Sequence, residues 1–236
     1  MYEKWKGVHT RCAFNMIQEL IPLTRPRTLA AALGPTILGA AFSYYAFGAA
    51  QGTGLAILHT VLIFLAVVTA QIVANLWNEY KDFKSGLDAG QKVGNAGSIT
   101  RGVITPELII TMIKVLMFVP IIIGLYLSAT ITWYYIPVGF LCILISFLYS
   151  GGPKPISRTP FGEISSGIAM GFAIVLITGY AWIRELSLAL LIPAIPSTLL
   201  VGSIMLTNNI RDIRNDESHG RHTLPIVLGR ERALSL

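Results

Sequence analysis

Charge is scarce in this sequence. Only 13% of its 236 residues are charged and 53% are hydrophobic, with a mean hydropathy of +0.64; soluble globular domains carry about a quarter charged residues. That balance excludes an ordinary soluble domain. Cysteine is nearly absent. Cys12 precedes the first apolar run and Cys142 lies inside the fourth, at different depths, which argues against a disulfide and gives no metal-site spacing. The sequence also lacks a serine or cysteine nucleophile constellation. His219 and His222 have no tight ligand spacing and read as loop residues. The net charge of +6 is spread through several segments instead of forming one basic, aromatic-interleaved patch, so it gives no argument for nucleic acid.

Long apolar runs are what the chain has. Six stretches suffice to cross a bilayer, at Thr28–Gly48, Leu55–Asn75, Leu108–Leu127, Ile131–Ser150, Ile164–Ile183 and Leu186–Leu206, since about 20 helical residues span a core of roughly 30 Å. The expected fold class is therefore all-α, a polytopic transmembrane bundle of six helices forming one domain over residues 1–236. The first run is too long for a signal-peptide core and lacks a cleavage site, so it stays in the mature protein. Ahead of it, Ala13, Phe14, Ile17, Leu20 and Ile21 recur at helical spacing, as in a short surface helix or a plain lead-in to the first span.

Lys and Arg gather before the first span, in Lys81–Arg101, at Lys154 and Arg158, and in Arg211–Arg232, while the loops after spans one and three hold none. The positive-inside rule puts both termini in the cytoplasm, in a cell inner or plasma membrane. Arg184 is the one outside exception, and Lys114 can snorkel. The outer loops are minimal. The inner segments Tyr80–Thr105 and Gly151–Phe161 are long, polar and glycine-bearing, and function is expected on that face.

Two acidic clusters lie there. Asn78 and Asp82 are one turn apart on a helical exit that also carries Asn75 and Glu79, and Asp88 follows Gly86, where the chain can turn back. Asn208, Asp212 and Asp216 recur every fourth residue along one stripe. The clusters echo each other: Asn78-Glu79-Tyr80-Lys81-Asp82 and Asn208-Asn209-Ile210-Arg211-Asp212 have Asn, a basic residue and Asp at the same offsets. An Asp at a membrane helix centre costs about 2.5 to 3.5 kcal/mol, and two carboxylates ~6 Å apart repel by roughly 3 kcal/mol at a dielectric near 20. A divalent cation relieves both penalties. Oxygen ligands without thiolate or imidazole suit Mg²⁺ shared with a substrate phosphate, and the candidate metal ligands are Asn78, Asp82, Asp88, Asp212 and Asp216. Lys81, Lys84, Lys92, Arg101, Arg211 and Arg221 flank them, as a magnesium-bridged polyanion requires; each also satisfies the positive-inside rule alone. Tyr149-Ser150-Gly151-Gly152-Pro153-Lys154-Pro155 turns sharply at the same face and presents a phenol and an ammonium. His59, Gln71, Pro193 and Pro196 read as interhelical hydrogen-bond partners and kinks.

These motifs resemble the UbiA family of intramembrane prenyltransferases. The resemblance spans Leu23–Gly229, with Asn78-Glu79-Tyr80-Lys81-Asp82 and Asp88 similar to the first aspartate pattern, Glu79 standing where an Asp is common. Within the family the likeness is to the MenA type, the 1,4-dihydroxy-2-naphthoate polyprenyltransferases. Thr24-Arg25-Pro26-Arg27-Thr28-Leu29, Gly86-Leu87-Asp88, the Tyr149–Pro155 turn with Gly162-Glu163, and Asn208–Asp216 with Gly220-Arg221-His222-Thr223-Leu224 carry it. Family members usually continue with further transmembrane helices after the second pattern, so the domain is expected to be short at its C-terminus.

The resemblance implies transfer of a polyprenyl group from a polyprenyl diphosphate to 1,4-dihydroxy-2-naphthoate with loss of CO₂, in menaquinone biosynthesis, with Mg²⁺ as cofactor and membrane lipid as surroundings. It implies catalytic roles for Asp82, Asp212, Lys154 and Tyr149, diphosphate binding by Asn78, Lys81, Arg101, Arg211 and Asn208, and acceptor binding by Arg25. Two alternatives stay open. One is a UbiA-type enzyme acting on 4-hydroxybenzoate, a tetrapyrrole or a glycerol phosphate; the other is a cation-coupled transporter, whose carboxylates tend to sit nearer mid-membrane.

Overall fold

The computed structural model describes residues 20–86 and 98–236. The region of the expected surface helix before Leu20, and Asp88 and Lys92, lie outside these residues. Among them the fold is all-helical: α1 Ala30–Phe47, preceded by a 3₁₀ turn at Pro26–Leu29; α2 Thr53–Ser85; α3 Pro106–Thr130; α4 Tyr135–Ser150; α5 Gly162–Ile183; α6 Leu191–Ser218; and two short helices, α7 Leu224–Leu228 and α8 Arg230–Ala233.

The first six helices stand where the six apolar runs predicted them. Four are long and apolar enough to cross a membrane: α2, α3, α5, and α6 with its leading 3₁₀ turn. α4 is apolar but has only 16 residues, about 24 Å of helix. In α2 the 33 residues measure about 50 Å against a core of about 30 Å. Its last turns therefore project beyond the lipid, and they carry the first acidic cluster.

Packing follows small residues. α2 lies against α3 with α4 on both, and α1 lies against α5, which also packs on α6. The middle of α5, Gly167–Phe172, is π-helical. There a Cβ on Gly171 would sit 2.6 Å from Thr198 Cα, and one on Gly167 2.6 Å from Thr198 O. With lipid outside, such close backbone contact replaces the hydrophobic effect as the glue.

Gln71 has the interhelical hydrogen bond expected of it, whereas His59 bonds the loop just before its own helix and meets α3 only through the Tyr126 ring, centroids 6.0 Å apart. Gln71 Nε2 donates to Thr28 O at 2.7 Å, and the fully buried His59 faces Gln51 Nε2 through Nδ1 at 2.9 Å. At the polar end a cluster of Leu23, Val73, Leu76, Ile99, Ile104, Ile109 and Ile113 fixes the 98–105 turn under α2. Glu79, where the family pattern favours Asp, is buried and accepts from Ser98 N at 2.7 Å. It pins a loop.

Candidate active site

α2 ends at Gly86, which adopts φ +72 and donates its N–H back to Asp82 O and Phe83 O. Glycine enters this left-handed region at no steric cost, and the helix stops one turn past Asp82. α6 ends comparably. After Ser218 the chain turns at Gly220, φ +67, and Arg221 N donates to Asp216 O at 3.0 Å while His222 N donates to Arg158 O at 2.9 Å. This reversal lays the Arg221 side chain across the gap between the two helices.

Arg221 Nη2 lies 3.2 Å from Asp82 Oδ1 and Nη1 lies 3.2 Å from Asp216 Oδ1. The side chains are 15% exposed for Arg221, 12% for Asp82 and 4% for Asp216. Two acids 134 positions apart in the chain thus share one guanidinium. Burial pushes both carboxyl pKa values up, and Asp212 adds like charge at Asp216; Arg221, with Arg25 and Arg158 around Asp82, offsets only part of that cost.

Arg25 is held on its side of the site by a strap. Asn75 Nδ2 donates to Thr24 O at 3.0 Å, Gln71 to Thr28 O, and the Thr28 hydroxyl to Arg25 O at 2.8 Å. Arg25 itself takes φ +50, a conformation that costs a non-glycine residue about 1–3 kcal/mol and persists where surroundings impose it. Tyr149, at the end of α4, faces the Ser166 hydroxyl and the charges of Glu163, Arg221 and Arg25. Behind it, buried Glu163 accepts from Asn209 Nδ2 at 2.8 Å through Oε1.

The remaining predicted residues are placed differently. Asp212 forms a two-pronged pair with its neighbour Arg211, at 2.8 and 2.7 Å, with side chains 45% and 69% exposed. The physical reason is helical drift: at about 100° per residue, each step of four rotates about 40°, so Asn208, Asp212 and Asp216 do not face one point. Lys81 Nζ sits over the Trp77 ring, 5.4 Å from its centroid. Arg101 reaches Ser98 Oγ at 3.2 Å, Lys154 is exposed in its turn, and Asn78 and Asn208 are half-buried. The sequence counted Arg221 merely among flanking cations and read Arg158 only for topology. Its available signal was the Gly220-Arg221 pair just past a helix end.

Among the described residues no group of three or more His, Cys, Asp or Glu could by itself hold a metal ion. The donors still fit magnesium, which takes one or two carboxylates and completes its shell with waters and substrate phosphate. Asp82 and Asp216 already converge on one cation, and the donor set is oxygen only.

Residues 32–236 match the model of the UbiA prenyltransferase family. The chain belongs to that family. Among relatives of this UbiA member, the 1,4-dihydroxy-2-naphthoate octaprenyltransferase of Bacillus subtilis is 38% identical over 226 residues, 94% of this chain and 70% of that one. The Escherichia coli protein of the same name is 30% identical over 95% of this chain and 73% of its own length. A UbiA homolog from Archaeoglobus fulgidus, solved bound to GPP and Mg²⁺, superposes with a TM-score of 0.68 at 18% identity, over 92% of this chain and 71% of that one. One from Aeropyrum pernix gives 0.64 at 21% identity, over 89% and 72%. These structures share the UbiA fold with this chain.

Proposed function

We propose that this UbiA family member transfers a polyprenyl group from a polyprenyl diphosphate to 1,4-dihydroxy-2-naphthoate, releasing CO₂ and diphosphate, within menaquinone biosynthesis. The observation that carries the reading is the 38% identity, over 94% of the chain, to the Bacillus subtilis enzyme named for that acceptor.

In this reading Asp82 and Asp216, with Asn78 and Asp88, would hold magnesium, Asn208 and Asp212 lying turned aside from that point along α6, and Arg25, Arg158, Lys81, Arg101, Lys154 and Arg211 would supply cations for the diphosphate. When bound, magnesium offsets charge on the diphosphate and makes it a better leaving group. The allylic C–O bond breaks with its electron pair going to diphosphate, and the ring carbon that bears the carboxylate bonds to the allylic carbon. The C–C pair of the carboxylate returns to the ring as CO₂ leaves. No ring proton has to be removed, so the site needs no general base, and Tyr149 serves to orient the acceptor. Apolar helix faces keep water from the cation. The polar end faces the cytoplasm, as the distribution of Lys and Arg supports.

The test is product analysis of membranes given labelled prenyl diphosphate and magnesium, with 1,4-dihydroxy-2-naphthoate, 4-hydroxybenzoate, a tetrapyrrole or glycerol phosphate. A prenylated naphthalene product is expected. Transfer to another acceptor with none to the naphthoate overturns the assignment.

A further inference from the structure

We propose that Arg221 is a built-in stand-in for the divalent cation: it bridges Asp82 and Asp216 in the substrate-free protein, and yields them only when an incoming diphosphate draws its guanidinium away. The inference rests on the diphosphate reading above and goes beyond it, because it sets the order in which metal and substrate arrive.

Three observations carry it. The two guanidinium nitrogens reach one oxygen of each acid at 3.2 Å, from opposite motifs, so Arg221 fills the place where a shared ion would bind. Its backbone is fixed independently, by the Arg221 N to Asp216 O bond and the neighbouring His222 N to Arg158 O bond. Withdrawal is then a side-chain movement, without unfolding of the turn. Moreover Arg221 Nε is buried without a hydrogen-bond partner. A guanidinium has five donors in a rigid fork; here the fork serves the acids at its tips and leaves its stem donor unmet, as it also is in Arg184, and what differs at Arg221 is that the tips are held by anions.

Charge sets the direction. Arg221, Arg25 and Arg158 act on Asp82, while Asp212 adds like charge at Asp216, so the guanidinium charge is concentrated on the Asp82 side of the bridge. A free divalent ion entering this place meets guanidinium charge beside Asp82 and a competitor already seated. A diphosphate meets attraction, and as Arg221 turns to its oxygens the acids are released to the metal. Metal without diphosphate is thus excluded, and the ion enters with the diphosphate.

Manganese, as a spectroscopic substitute for magnesium, tests this in purified protein by electron paramagnetic resonance titration, without diphosphate and with a non-cleavable prenyl thiolodiphosphate. Without diphosphate, Arg221→Gln is expected to bind Mn²⁺ about tenfold more tightly than wild type, the scale of one lost competing ion pair. With the analogue present the advantage disappears, and the variant binds the analogue about tenfold more weakly. Equal or weaker Mn²⁺ binding by Arg221→Gln without diphosphate overturns the proposal; a purely structural Arg221 gives that result. Arg221→Lys keeps the charge but loses the fork that spans both acids. It carries the same comparison where the Gln variant fails to fold, with tighter Mn²⁺ binding expected and unchanged binding overturning. Wild-type product formation is read separately. Normal prenylation of the naphthoate with unchanged Mn²⁺ binding in the variants sinks this inference alone, whereas absence of prenyl transfer sinks the proposed function.

Discussion

The two ends of the bundle each hold a half-buried arginine, and they bind it in opposite ways. At the end away from the acidic clusters, Arg184 caps α5 with φ +61 and donates to Thr130 O at 2.8 Å, to Ile131 O at 2.9 Å and to the Gln51 side-chain oxygen. Gln51 in turn donates to Ala181 O at 2.7 Å and meets His59. Every acceptor there is neutral, either a backbone carbonyl at or near a helix end or the Gln51 side-chain amide. At the other end Arg221 is held by two carboxylates. Neutral carbonyls fixed at a helix end have no better cation to receive, so the Arg184 knot is a lasting clamp. Carboxylates bind any suitable cation, so the Arg221 bridge is exchangeable. The difference separates stability from chemistry along one short molecule.

The largest effect expected is at the acidic end. Asp82→Ala or Asp216→Ala should lower prenyl transfer by about two to three orders of magnitude, the scale seen when a preorganised charge-stabilising group is removed; Asp212→Ala, exposed and paired with Arg211, should lower it only about tenfold. Equal losses at all three positions, in a labelled-product assay, would erase the distinction between the buried pair and the exposed acid. Next comes the clamp. Arg184→Ala removes charge-assisted bonds worth about 1.5–3 kcal/mol each, so thermal unfolding in detergent should fall clearly while the magnesium concentration for half-maximal activity stays fixed. A shifted magnesium requirement would mean that the two ends are coupled. Gly171→Ala should cost about 1–3 kcal/mol of stability, because its Cβ would lie 2.6 Å from backbone at Thr198 and neither helix can yield locally. Smallest is Lys81→Ala. Loss of its place over Trp77 should lower stability by about 0.5–1 kcal/mol, and loss of its charge should raise KM for prenyl diphosphate several-fold; an unchanged KM removes Lys81 from the diphosphate contacts.

Much of the fold was legible in the residues. Apolar runs marked α1 to α6 in order, because a chain in lipid must satisfy its backbone internally and helix is the local way to do so. Polar extensions such as Asn75–Asp82 marked the functional end for the same reason, since carboxylates in lipid are costly. Other features were invisible. Four-residue spacing aligned Asn208, Asp212 and Asp216 on paper, yet accumulated drift and the Arg211 pairing turn Asp212 outward. Glu79 read as one more acid of the first cluster, but buries itself against Ser98 N.

The sequence alone determined that this is a helical membrane protein with two acidic motifs at one end, because hydropathy and helical period are properties of short stretches. Only the tertiary structure decided which acids meet and which cation joins them. Asp82 and Asp216 come together because α2 and α6 both extend past the apolar layer and the Gly220 turn sends Arg221 back between them. That convergence depends on helix packing through Gly167 and Gly171 and on rotation about each helix axis, quantities to which no single segment refers.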